Sequence, residues 1–167
     1  MTQDLLEAFQ SMDFSDKDEG IALNDRVLII DGMNTFIRSF AAIPTMDENG
    51  NHIGGVTGFL KSVGYVTRKF KPSRVYVIFD GKGGSKRRRD IYPDYKLGRK
   101  PLTRLNRTYD MTTEKDEQDL MRYELVIVAK ALMKLPITTI TLDHVEADDI
   151  ISYIAQHTVE NGGESII

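Results

Sequence analysis

Val27-Leu28-Ile29-Ile30-Asp31-Gly32 is the stretch on which the reading of the fold turns. Four consecutive aliphatic residues closed by Asp-Gly predict a short strand buried on both faces, as parallel sheets require. A second copy follows as Val75-Tyr76-Val77-Ile78-Phe79-Asp80-Gly81. A third run, Ile137-Thr138-Thr139-Ile140-Thr141-Leu142, comes after Pro136, and Ser165-Ile166-Ile167 starts a fourth. Helical patterns fill the intervals. Asn34 to Ala42 predicts a short helix, and Gly55 to Phe70 carries Val56, Phe59, Leu60, Val63 and Val66 on one broad face. Thr113 to Leu135 is the longest pattern, with Thr112 or Thr113 as its cap and Glu114, Asp116 and Glu117 favouring its N-terminal dipole. Glu146 to Thr158 forms the last, with Ile150, Ile151, Ile154 and Ala155 facing inward. Strands alternating with helices predict an α/β domain around a mostly parallel central sheet.

The chain has 167 residues, which is one domain by size, and 41% of them are hydrophobic, which excludes a disordered chain. Cysteine is absent, so disulfides, a thiolate nucleophile and a cysteine-ligated zinc site are excluded. His52, His144 and His157 are too scattered to predict a histidine-rich metal site. No stretch approaches 18 uncharged apolar residues, so no membrane helix is expected. The start of the chain is acidic and lacks the basic and apolar regions of a signal peptide, so a reducing cytosolic location is the expectation. Residues 1–25 read as an appendage or linker: Leu5, Leu6, Phe9 and Met12 fall at helical spacing before a polar stretch, as a docking peptide or a tail would have them.

Charge is unevenly placed. The net charge is −3, yet Lys82 to Arg107 holds ten Lys/Arg against Asp90 and Asp94 alone. Residues 82–110 also contain Gly81-Lys82-Gly83-Gly84 at their start, then Pro93, Gly98 and Pro101, without a sustained apolar face. A basic insertion on an acidic body is a local attractor for a polyanion, or else a solvated charge run.

The acidic residues have their own pattern. Asp31 and Asp80 each end an apolar strand and precede glycine. Ligands of open parallel sheets collect beyond the carboxyl ends of the strands, so the two would share a crevice if their strands are neighbours. A strand-ending Asp can also be no more than a helix cap or turn residue. Val145-Glu146-Ala147-Asp148-Asp149-Ile150 then places three carboxylates in four residues at a predicted helix start, among apolar neighbours. Carboxylates near a core need a cation or a proton. All-oxygen ligands suit Mg²⁺ or Mn²⁺, not zinc; an ordinary acidic first turn is the alternative. Asp31, Asp80, Glu146, Asp148 and Asp149 with the basic insertion fit one chemistry, water attack on a phosphodiester assisted by one or two divalent ions.

Ile29-Ile30-Asp31-Gly32-Met33-Asn34, Val77-Ile78-Phe79-Asp80-Gly81-Lys82 and Val145-Glu146-Ala147-Asp148-Asp149, in that order, resemble the motifs of the 5′ nucleases. These are the flap endonucleases, the 5′–3′ exonuclease domain of bacterial DNA polymerase I and the phage RNase H enzymes. Tyr92-Pro93-Asp94-Tyr95-Lys96-Leu97-Gly98-Arg99-Lys100 is similar to the stretch that opens their helical arch. The resemblance covers residues 26–167 and implies a three-layer PIN-like (resolvase-like) fold. It implies cutting near 5′ ends of DNA, or of RNA primers on DNA, with Mg²⁺ or Mn²⁺, two ions in the complete enzyme. Asp31, Asp80, Glu146, Asp148 and Asp149 would be metal ligands, and Lys96 would contact the scissile phosphate with Arg99 beside it. Lys82, Lys86, Arg87, Arg88, Arg89, Tyr95 and Lys100 would bind DNA, where stacking adds to phosphate contacts. Residues 1–25 would be free to meet replication proteins, and the setting would be phage or bacterial cytosol.

The family's next motif, a strand followed by Asp-x-Asp, is expected directly after Ile167, so the chain reads as a piece truncated at its fourth strand that binds DNA but cleaves poorly. A haloacid-dehalogenase-type phosphatase needs an Asp two residues after Asp31, where Met33 stands. A PIN-type ribonuclease toxin fits the basic insertion poorly. A non-catalytic DNA-binding module is the remaining alternative.

Overall fold

The computed structural model describes residues 25–96, 106 and 113–167. In chain order these form β1 (Arg26–Asp31), α1 (Gly32–Ala42), α2 (Gly54–Phe70), β2 (Arg74–Asp80), α3 (Lys86–Ile91), α4 (Glu114–Leu132), β3 (Thr138–Leu142), α5 (Ala147–Glu160) and β4 (Glu164–Ile166). The four strands form one sheet in the order β3-β2-β1-β4, and every pairing is parallel.

The apolar runs alternate across the sheet. Leu28, Ile30, Val75 and Val77 pack with Phe36, Phe40, Phe59, Val63, Val128 and Leu132, which places α1, α2 and α4 on one face. Val27, Ile29 and Ile78 pack with Ala147, Ile150 and Ile151 of α5 on the other. The result is the three-layer arrangement expected from the sequence. Each face removes branched side chains from water, at about 1.5–3 kcal/mol for each one fully buried.

Element ends follow local chemistry. Asp31 caps α1: its Oδ1 accepts from the Asn34 amide at 2.9 Å, so the helix begins at Gly32 and not Asn34. Thr113 is the cap of α4 and forms a reciprocal capping box with Asp116. That helix stops at Leu132, three residues short of expectation, with a turn over 133–136. Pro136 disfavours a helical residue before it. α5 runs on to Glu160, and Gly162 at φ +84° turns the chain into β4. Within the basic insertion, Lys86–Ile91 forms a short helix that the sequence pattern did not predict. Residues 1–24, with the amphipathic pattern of Leu5, Leu6, Phe9 and Met12, lie outside the described residues, as do Arg99, Lys100 and the Arg87 side chain. Among the described residues, no helix is long and apolar enough to cross a membrane.

Candidate functional site

β1 and β2 are neighbours, and Asp31 pairs with Ile78, so Asp80 stands two residues further along its strand. β3 pairs on the other side of β2, with Leu142 opposite Asp80. The chain leaves β1 toward β2 on one side, while β4 lies on the other. This is the topological switch at which open α/β sheets collect ligands. A groove of about 430 Å³ runs from Asp31 and Asn34 along β1 to Val66 and Phe70 of α2, and neither Asp80 nor Glu146 lines it.

Two loops interlock beyond β2 and β3. The Gly81 amide donates to the Val145 carbonyl at 3.2 Å, and the His144 amide to the Lys82 carbonyl at 3.0 Å. A Cβ on Gly81 would lie 1.7 Å from the Leu142 carbonyl oxygen, so only glycine allows this approach. The interlock sets Asp80 against the start of α5, where its Oδ1 accepts from the Ala147 amide at 2.8 Å. Glu146 occupies the N-cap position of α5. Asp31 and Asp80 thus each spend one oxygen on a helix N-terminal amide. The second oxygen of each accepts no hydrogen bond among the described residues.

The basic insertion meets the carboxylates directly. Glu146 has a side chain only 4% exposed, and Lys96 Nζ donates to its Oε1 at 2.5 Å. Tyr95 Oη donates to Glu146 Oε2 at 2.9 Å and itself accepts from Arg88 Nη1 at 2.7 Å. Arg88 also pairs with Glu146 and, through Nη2, with Asp149 at 2.5 Å. Arg88 and Lys96 both lie over the Tyr95 ring, 5.5 and 5.1 Å from its centroid. Burial pushes the Glu146 carboxyl up. Hydrogen bonds from Lys96 and Tyr95 and the charges of Lys96 and Arg88 more than reverse this, leaving it below the usual glutamate range. The Tyr95 hydrogen bond, followed by Asp149 and Glu146, raises the Arg88 guanidinium against the opposing effect of burial.

The predicted site residues divide accordingly. Glu146, Asp149, Lys96, Arg88 and Tyr95 form one contact network. Asp80 joins it through the backbone of Ala147, while Asp31 caps α1 on the adjacent strand. Asp148, Lys82, Lys86 and Arg89 are exposed, and Arg89 pairs locally with Ser85. Among the described residues, no group of three or more His, Asp or Glu could hold a metal ion, and the charge of Glu146 is answered by Lys96 and Arg88 instead. The donors nevertheless suit a hard cation: they are oxygen only, and Asp31 and Asp80 each keep an oxygen unused by the described backbone.

Sequence reasoning missed a second polar cluster, on the α1–α2–α4 side. His52 and Glu124 are fully buried, with His52 Nδ1 2.7 Å from Glu124 Oε1. The other Glu124 oxygen accepts from the Val56 amide at 3.0 Å. The signal was present in α4, where Glu117 and Glu124 occupy the inward positions shared by Val128 and Leu132.

The profile of the 5′–3′ exonuclease N-terminal resolvase-like domain matches residues 26–167. The flap endonuclease Xni of Shewanella denitrificans is 34% identical over 142 residues, covering 84% of this chain and 48% of that protein. A 5′–3′ exonuclease of Aquifex aeolicus is 27% identical over 135 residues, covering 80% and 41%. The chain spans about half the length of the curated relatives it matches. The bacteriophage T5 5′-exonuclease with bound zinc superposes with a TM-score of 0.56 at 18% identity, over 80% of this chain and 45% of that one. A T5 flap endonuclease pseudo-enzyme–product complex with DNA and metal ions gives 0.53 at 20% identity, over 81% and 45%. These likenesses establish the same fold. With the profile matched from Arg26 to Ile167, the chain belongs to the family of 5′–3′ exonuclease N-terminal resolvase-like domains.

Proposed function

We propose that this domain is the metal- and phosphate-binding half of a 5′ nuclease that hydrolyses phosphodiesters near 5′ ends of DNA, or of RNA primers on DNA. The observation that carries this reading is the meeting of the basic insertion with the carboxylates: Lys96 and Arg88 sit on Glu146 and Asp149, next to Asp80 at the carboxyl end of β2. The names of the relatives, flap endonuclease and 5′–3′ exonuclease, support it.

Asp31, Asp80, Glu146, Asp148 and Asp149 would hold Mg²⁺ or Mn²⁺, two ions in the complete enzyme. A bound divalent ion supplies a nucleophilic water and stabilises the leaving oxygen. Asp31 and Asp80, pinned by helix amides, would keep their free oxygens in place. Lys96 and Arg88 would exchange Glu146 for the substrate phosphate, with Glu146 then serving the divalent ion it would hold. Tyr95, between the two cations, would hold them together during that exchange. Arg99 would act beside Lys96, and Lys82, Lys86, Arg87, Arg89 and Lys100 would contact the DNA backbone. Residues 1–25 would serve contacts with replication proteins, in a phage or bacterial cytosol.

Titration with Mn²⁺ and with a fluorescent 5′-flap DNA tests this. The chain is expected to bind both, with DNA affinity falling steeply as salt rises, and Asp80→Asn to weaken Mn²⁺ binding. Any Mg²⁺-dependent flap cleavage should be lost in the same variant. A chain that binds flap DNA no better than a neutral polymer, or an Asp80→Asn chain with unchanged Mn²⁺ affinity, would refute the reading.

A further inference from the structure

α2 and α4 both end over the first residues of β2 and β3, and proline follows each of them. Lys71 closes α2 at φ +45°, its amide donating to the Thr67 carbonyl at 2.9 Å, and Pro72 comes next. Pro136 ends the turn that follows α4. Neither helix can run on through its proline, so the apolar residues beneath stay partly open. They line a groove of about 640 Å³ whose floor is Leu60, Val63, Val75, Leu135, Pro136 and Ile137. Val63 and Val75 belong to the core between sheet and helices, while Leu135 is 43% exposed. The core therefore reaches solvent here. β2 is seven residues long, which sets the groove about 20 Å from Asp80 and the other carboxylates.

Charge frames this groove. Residues 49–79 hold Lys61, Arg68, Lys69, Lys71 and Arg74 and no Asp or Glu; residues 125–142 hold Lys130 and Lys134 and again no acid. Arg68 and Arg74 line the groove, and among the described residues no carboxylate does. Arg68 Nη1 reaches over Gly64, 3.4 Å from where a Cβ would stand. The two helix C-termini add roughly −0.5 charge each, and the cations outweigh them. An apolar floor under a basic rim, in a chain of net charge −3, is complementary to one chemistry. We propose that the groove docks a short acidic segment of another protein through an aliphatic anchor, with Arg68 pairing with a carboxylate beside that anchor. Nucleic acid fits less well. Among the described residues no aromatic ring lines the groove for a base to stack on, and a sugar-phosphate backbone would leave the apolar floor uncovered. The groove shares no residue with the carboxylate site, so the inference stands apart from the nuclease reading.

Fluorescence anisotropy of the full chain with a short fluorescein-labelled Asp/Glu peptide bearing a central Leu-Leu pair tests this. The chain is expected to bind it, about ten-fold more weakly once Ser-Ser replaces the pair. Gly64→Leu fills the groove. Among the described residues a Cβ there meets only Arg68 Nη1, at 3.4 Å, so the variant should unfold at or above the native urea midpoint, as expected when a helical glycine is replaced. It should weaken the peptide at least about ten-fold. Arg68→Ala should weaken it about three- to five-fold, and that loss should shrink as salt rises. A native chain that does not bind the peptide, an affinity indifferent to Ser-Ser, or an unchanged affinity in Gly64→Leu would overturn the proposal. Two further results would assign the groove elsewhere and overturn it as well. Labelled oligothymidine losing affinity in Gly64→Leu as the peptide does would make the ligand a nucleic acid. Peptide binding that tightens about ten-fold in Phe9→Asp would mean that residues 1–24 of this chain take the groove instead.

Discussion

Arg88 and Lys96 share the task of balancing one buried carboxylate, and that sharing has a measurable consequence. Glu146 is 4% exposed, whereas the Arg88 and Lys96 side chains are 34% and 28% exposed. A hydrogen bond to a charged group contributes roughly 1.5–3 kcal/mol, and partial exposure reduces it to about 1 kcal/mol. Arg88→Ala or Lys96→Ala alone should each cost about that much, because the other cation still faces Glu146. The double variant leaves a buried carboxylate with Tyr95 as its remaining described donor, at a cost of about 3–5 kcal/mol. The excess over the two single costs is about 1–3 kcal/mol. Urea unfolding of the four chains measures it, provided the slopes agree. Glu146→Gln supplies the control: Lys96 should then matter by less than about 0.5 kcal/mol, and Arg88 by no more than its part-exposed pair with Asp149, about 1 kcal/mol or less. Costs that add to within about 0.5 kcal/mol, or an excess that survives Glu146→Gln, would refute the reasoning.

Other perturbations read other parts of the molecule. Glu124→Ala leaves His52 and the Val56 amide without their acceptor and should cost about 3–5 kcal/mol by urea unfolding. Glu164→Ala breaks a pair whose side chains are 46% and 55% exposed and should cost less than about 1 kcal/mol; the reverse ranking would contradict the burial argument. Gly81→Ala drives a methyl group into the Leu142 carbonyl and should destabilise by about 2–3 kcal/mol while weakening Mn²⁺ binding, and a neutral result would mean the two loops can separate freely. The Asn51 side chain first, then the Asn51 and Asn49 amides, hold the Asp47 carboxyl below the usual aspartate range. Its stabilising contribution is therefore present above the unfolded-state value and lost as pH falls through the lower folded value. Carboxyl ¹³C NMR should show that low midpoint and a rise in Asn51→Ala; an identical midpoint in both chains would count against it.

Much of this was legible in the residues. Aliphatic runs closed by Asp-Gly announced β1 and β2 because a strand covered on both faces needs apolar side chains at every position. Thr113 announced its capping role through the acidic residues that follow it. The three-residue spacing of Glu146 and Asp149, the N-cap and the third residue of α5, lets both reach Arg88. Arg88 was legible only as a candidate DNA contact, and not in its pairing with Glu146 and Asp149. In the sequence it is one of three consecutive arginines, and only the turn at Tyr92–Tyr95, closed by an amide–carbonyl bond of 2.9 Å, brings Tyr95 and Lys96 back to the same carboxylate. The His52–Glu124 pair was also hidden, since 72 residues separate its members and a lone histidine carries no periodic signal. Glu117 and Glu124 on an apolar helix face were the available warning.

The strand order bears on biosynthesis. β1 lies inside the sheet, yet among the described residues one flank is closed only by β4, through ladder partners such as Arg26 and Glu164 that are 138 positions apart. Translation at about 5–20 residues per second leaves that flank open for roughly 7–28 s after β1 leaves the ribosome. Through that interval a run of bare aliphatic backbone is able to pair with a neighbouring nascent chain. The β1–β2 ladder, whose partners are 47 positions apart, should therefore form first, and a ribosome stalled before residue 164 should carry a species prone to aggregation.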